Sequence, residues 1–317
     1  MKFGVQFWLF SPVPGAIALA LLVAMPPASQ ARPFPHPEPT LTAAPPFPQL
    51  IAQASRTVGG SPATGRTTGG GSDFTMTYDA SRSVSGAGAG GRSQGGGVRS
   101  GIAAVCPTPE VPLTALVPFE ATYAPSKNIP ETMNVWGTTT QQHPTFWAYV
   151  PAIDPSISVT FLLSEGRNLI HQTTVQPPSQ GGVIPVTVPT SAPALEPGKR
   201  YQWTLSFQCK AAEAGSGAAS SAKTETVYVQ ASVFYAPLAP AIASQLTPKP
   251  SRQNAALYAQ NGIWYDALTT LATLRQQAPN DATLQADWAT LLNSMVLSPA
   301  ASPYFDVQKL AQQPLAR

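Results

Sequence analysis

RYQWTLSFQCK, residues 200 to 210, alternates without a break. Tyr201, Trp203, Leu205, Phe207 and Cys209 fall on one side; Arg200, Gln202, Thr204, Ser206, Gln208 and Lys210 fall on the other. A period of two over this length predicts a strand with one buried and one wet face. Antiparallel sheets carry that pattern. Cys209 then points inward, beside Trp203, where a disulfide is shielded.

Other strands are read outward from it. VTFLL (159–163) and NLIHQTTV (168–175) flank a turn, Ser164-Glu165-Gly166-Arg167. In GGVIPVTVP, Ile184, Val186 and Val188 alternate, while Pro185 lacks a ladder donor and suggests an edge strand. Leu113, Ala115 and Val117 alternate, as do Val227, Val229, Ala231 and Val233. HPTFWAYVP (143–151) is the densest aromatic stretch. Read as a strand, it turns Phe146, Ala148 and Val150 to the core and Trp147 and Tyr149 the other way. Six or seven short strands separated by turns suggest a β-sandwich over residues 105–236.

From Pro250 the period becomes helical. Ser251 can cap a helix that ends at Gly262, and a second runs from Trp264 to Gln277 until Pro279 stops it. Asp281 can cap a third, in which Leu284, Trp288, Leu291, Leu292 and Met295 form an amphipathic stripe. The expected class is α+β: an antiparallel sandwich, then a three-helix segment over 250–297, with 298–317 as a tail.

The N-terminal third reads differently. Lys2, the apolar run Ala16–Met25 and the small residues around Ser29 and Ala31 resemble an export signal, residues 1–31. The run is too short for the ~20 residues that span a bilayer, so no span is expected once it is removed. Residues 32–104 are Pro-rich, then rich in Gly, Ser and Arg, and read as a linker that buries too little apolar surface to order. The 35 prolines and 24 glycines exceed a combined average of about 12%. Export permits a disulfide between Cys106 and Cys209. It closes a loop of about 100 residues, worth up to about 4.7 kcal/mol in the chain-entropy model.

Composition and motifs exclude more than they assign. Only 10% of residues are charged and the net charge is +3, too weak a bias for nucleic acid. No CxxC, HExxH or Cys/His cluster supports a metal, and no cofactor motif is credible. Gly91-Arg92-Ser93-Gln94-Gly95 matches GxSxG, and Gly86, Gly88 and Gly91 match GxGxxG. Both need a strand before and a helix after, and both neighbours read as linker. His143 and His171 are unpaired, and the carboxylates are scattered rather than paired as glycoside hydrolysis requires. No catalytic residue is assigned. Trp203, Trp288, Gly262 and Pro279 read as structural. Trp136, Trp147 and Tyr149 are the candidate ligand or partner surface, either open to a sugar face or covered by the helical segment. Cover is favoured, because open aromatics beside an unpacked helical stripe would leave a large apolar patch.

Three resemblances add to this reading. LEPGKRYQW resembles the tyrosine corner of immunoglobulin-like domains, with Tyr201 as the residue whose hydroxyl bonds nearby backbone. GIWYDALTTLATLRQQAPND resembles the second half of a tetratricopeptide repeat, with Gly262, Ala267, Leu271 and Pro279 at that family's spacing; Leu274 stands where a small residue is usual. Taken in order, a CP near 106, LTALVPF, HPTFWAYVP, LEPGKRYQWTLSFQC and ALYAQNGIWYDALTTLATLRQQAPN with DWATLL resemble the cyanobacterial family labelled domain of unknown function 928. That resemblance implies an exported cyanobacterial protein and brings no established activity. The expected function is a non-enzymatic module of the periplasm or cell envelope that contacts an unknown protein partner; the alternative is glycan binding.

Overall fold

A computed structural model of the chain describes residues 75–86, 88–94, 106, 109–123, 130–210, 224–298 and 305–316. The described residues belong to one compact unit, Gly69–Arg317. They form an α+β fold with two sheets and five short helices.

The larger sheet is built on the alternating strand. β8 (Arg200–Lys210) pairs antiparallel with β9 (Thr224–Tyr235), opposing Tyr201 to Val233, Trp203 to Ala231, Leu205 to Val229 and Phe207 to Val227. All eight are buried. A two-residue period therefore places one continuous apolar face on both strands. β5 (Val159–Glu165) adds beside β8, and β6 (Asn168–Val175) beside β5, through the hairpin turn at Gly166. On the far side come β3 (Pro130–Thr139) and β2 (Phe119–Tyr123), giving the order β2-β3-β9-β8-β5-β6. One pairing departs from the antiparallel expectation: β3 runs parallel to β9, with Trp136 opposite Ser232.

The smaller sheet has the order β1-β4-β7, from β1 (Thr114–Ala115), β4 (Thr145–Val150) and β7 (Gly182–Thr187). β7 lies at its edge, consistent with the missing donor of Pro185. The two sheets meet through Phe146 on β4, whose ring lies 5.4 Å from both Phe161 on β5 and Trp203 on β8.

α1 (Pro240–Ala243) is a single turn. α2 (Arg252–Gln260) begins at Ser251, whose hydroxyl accepts the Asn254 N–H. α3 (Trp264–Gln277) and α4 (Ala282–Asn293) follow, and Asp281 accepts the N–H groups of Thr283 and Leu284. These are the helices and caps that the apolar period and the polar boundary residues mark out. α5 (Val307–Ala311) lies beyond them. No helix among the described residues is long and apolar enough to cross a membrane.

Two segments correct the sequence reading. Within the expected linker, residues 75–94 include a 3-10 turn, Ala80–Arg82, and bury Met76, Tyr78, Ala89 and Ser93. Gly86 lies flat on the Trp136 indole, where a Cβ would come within 2.2 Å of the ring. The glycine that makes the segment look unstructured is what lets it approach so closely. The expected tail also folds: α5 buries Val307 and Leu310, and Val183 exchanges backbone hydrogen bonds with Pro314 and Ala316.

That last contact is one of three that cover sheet edges. Phe119 on the β2 edge donates to Met295 O and accepts from Leu297 N–H. On β1, Ala115 N–H donates to Ser93 O. Pro314 and Ala316 cover β7. β6 has no such cover among the described residues.

Candidate functional site

The aromatic surface expected at Trp136, Trp147 and Tyr149 is core. Trp147 is 2% exposed, and its indole N–H donates to Thr269 Oγ1 on α3 at 3.0 Å. Tyr149 is 6% exposed, with its hydroxyl against Gly181. Burial, with a smaller contribution from Glu110, pushes that hydroxyl's pKa up. Trp136 is 4% exposed beneath Gly86. β4 is a central strand, and five of its six residues are buried. Both of its faces are therefore covered, and alternation alone cannot distinguish that from one covered face. The glycan platform proposed for these three residues has no open face.

α3 is fastened by buried polar contacts, among them the Trp264 indole N–H, which donates to Leu116 O at 2.8 Å. The Tyr265 hydroxyl accepts the Trp203 indole N–H at 2.8 Å and donates to Ser232 O at 3.2 Å. Its ring stands edge-on to Phe146, 5.1 Å away, and rests against Gly137. Burial drives the phenol pKa far up, so this group stays neutral. The Asp266 carboxylate accepts from Thr139 Oγ1 (2.7 Å), Thr140 N–H (3.1 Å), Thr140 Oγ1 (2.5 Å) and Gln141 Nε2 (3.2 Å). Burial raises its pKa above 3.8, and the four hydrogen bonds pull the other way. Neither Tyr265 nor Asp266 stands out in the sequence: an acid in a first helical turn reads as a dipole partner.

Between the helices, Arg252 makes two hydrogen bonds to Asp287, at 2.5 and 3.0 Å, tying α2 to α4. The Arg275 guanidinium lies 4.9 Å over the Trp288 ring. Trp288 is fully buried. Gly262 has a φ of +72°, and a Cβ there would lie 2.5 Å from Ser83 N. It serves a left-handed turn and a close approach to the 3-10 segment. Pro279 follows α3 and accepts from Gln285 Nε2 through its carbonyl. Tyr201 Oη accepts the Glu196 N–H at 2.9 Å. Cys106 and Cys209 form a disulfide with Cα atoms 5.4 Å apart.

These arrangements hold structure together, and among the described residues the two histidines and the Ser93 hydroxyl lie apart from one another. His143 bonds Ala192 O before β4, while His171 lies on β6 near Phe161. Ser93, centre of the GxSxG string, is 1% exposed, and its carbonyl accepts from β1. No group of three metal-ligating side chains occurs among the described residues. A cleft of about 680 Å³ is lined by Asp154, Ser156, Ser158, Thr160, Ser206 and Gln208, with Ile157 and Phe207. Asp154 is the one carboxylate of that lining; its pKa is lowered by the Ser156 N–H that it accepts.

A family model described as Domain of Unknown Function (DUF928) matches residues 94–304, about two thirds of the chain. The chain belongs to the DUF928 family. No curated protein matches it. The match takes in every strand of the described residues and α1 to α4. Residues 75–93 and α5 lie outside it, so this chain's DUF928 domain is covered at Trp136 and at the β7 edge by flanking sequence.

Proposed function

We propose that this DUF928 protein is a non-enzymatic module of the periplasm or cell envelope, exported by its N-terminal signal and built for contact with other proteins. The carrying observation is the disulfide between Cys106 and Cys209, which belongs to an oxidising compartment. In this reading residues 105–236 are an immunoglobulin-like sandwich. The Tyr201 hydroxyl on the Glu196 N–H, five residues upstream, supports a tyrosine corner. α2 to α4 are a tetratricopeptide-like segment docked on the sandwich, supported by Gly262 between α2 and α3 and by the Thr269 and Asp266 contacts to the sheets. A cyanobacterial source accords with the family resemblance.

Protein contact is favoured because Trp136, Trp147 and Tyr149, the candidate aromatics for stacking on a sugar, are packed inside. The test is affinity capture of the full chain from envelope extract, alongside an unrelated disulfide-bonded exported protein. Reproducible enrichment of a defined envelope protein by this chain alone is expected. Equal recovery by both baits contradicts the reading.

A further inference from the structure

We propose that β6 pairs edge to edge with β6 of a second copy of this chain, joining two six-stranded sheets about a two-fold axis. This deepens the protein-contact reading by naming one partner.

In an antiparallel ladder, alternate residues direct their N–H and C=O groups to one neighbour and the rest to the other side. β5 takes up one side of β6. Among the described residues nothing takes up the other, whereas chain segments cover the β1, β2 and β7 edges. Exposed edges usually carry Lys, Pro or inward-pointing charge that prevents pairing. NLIHQTTV carries none of these, and its one bulge, a device that also guards edges, is confined to Ile170 near its start. Its one irregularity is a register shift: Leu163 opposes His171, and Ser164 opposes Leu169. Ile170 is the extra residue, and His171–Val175 remain regular. Leu169, 58% exposed, is one of two exposed large hydrophobics among the described residues.

The occupant follows from charge and symmetry. A two-fold antiparallel pairing centred on Thr173 sets Thr173 opposite Thr173, Gln172 opposite Thr174 and His171 opposite Val175. These are polar and β-branched pairs of the kind that stabilise sheets, and none sets like charges together. Any charged residue on β6 would meet its own copy nearby, so a neutral strand suits self-pairing. His171, Thr173 and Val175 oppose the buried Leu163, Phe161 and Val159 on β5, so pairing extends the inner face of the sheet. The pairing also closes. It uses the one edge left open among the described residues, so assembly stops at two rather than continuing as a fibre.

Sedimentation velocity of the full chain from about 1 µM to about 100 µM tests this, a span suited to a small interface. A monomer–dimer equilibrium is expected. Thr174→Lys is expected to weaken it at least tenfold while leaving the melting temperature within error. Thr173→Cys, at the axis, is expected to form a covalent dimer under mild oxidation, and Thr283→Cys on α4 is the control. A monomer throughout, a dimer indifferent to Thr174→Lys, or equal crosslinking at both positions overturns the inference. A monomeric chain that still enriches an envelope protein sinks this inference and leaves the broader reading standing.

Discussion

Trp147 and Asp266 show what single side chains do here. Trp147 fills space between β4 and α3 and satisfies its N–H on Thr269. Trp147→Ala is expected to cost about 3–5 kcal/mol, the range for deleting a buried aromatic. Urea unfolding followed by circular dichroism measures it; a cost under about 1 kcal/mol would place Trp147 at a surface. Asp266 carries a raised pKa in the fold. Its contribution is therefore fully present below its unfolded value and lost as pH rises through the raised folded value. Wild type is expected to lose stability relative to Asp266→Asn as pH climbs from about 4, the ordinary carboxylate value, toward neutrality. Parallel stability–pH curves for the two proteins contradict that assignment. Tyr201 was legible because a motif surrounds it. Tyr265 and Asp266 were not, because their partners Trp203, Thr139 and Thr140 lie more than sixty residues away in sequence.

At the scale of elements, regular structure was the most legible. The two-residue period of 200–210 and the caps at Ser251 and Asp281 mark strand and helix where they occur. The parallel register of β3 on β9 was not legible, since periodicity says which face is apolar and not which strand lies alongside. Residues 75–94 depart from their compositional reading for a related reason. Their glycines signal disorder by composition, yet Gly86 is the residue that fits on Trp136. A chain beginning at residue 95 removes that cover. Its tryptophan emission is expected to shift to the red and its unfolding midpoint to fall, because Trp136 gains water. Unchanged emission and midpoint would show that the segment adds nothing. Gly262→Ala is expected to cost about 1–3 kcal/mol, from a positive φ together with the close approach to Ser83. Thermal melts of that variant decide it.

At the scale of the whole molecule, buried aromatic residues join two sheets and a helical layer. Phe146, Phe161, Trp203 and Tyr265 form one ring cluster drawn from both sheets and α3. The disulfide secures the segment before β1 to β8, in a protein where Ser93, Pro314 and Ala316 also lie against sheet edges. Reducing it is expected to cost up to about 4.7 kcal/mol, the chain-entropy figure for a loop of about 100 residues. The account rests most on that bond forming where the protein works. The direct test is to alkylate cells rapidly, isolate the full chain, and count cysteines that became blocked before reduction. The account expects none blocked before reduction and both Cys106 and Cys209 freed by it; two cysteines blocked at the outset would contradict an oxidising compartment.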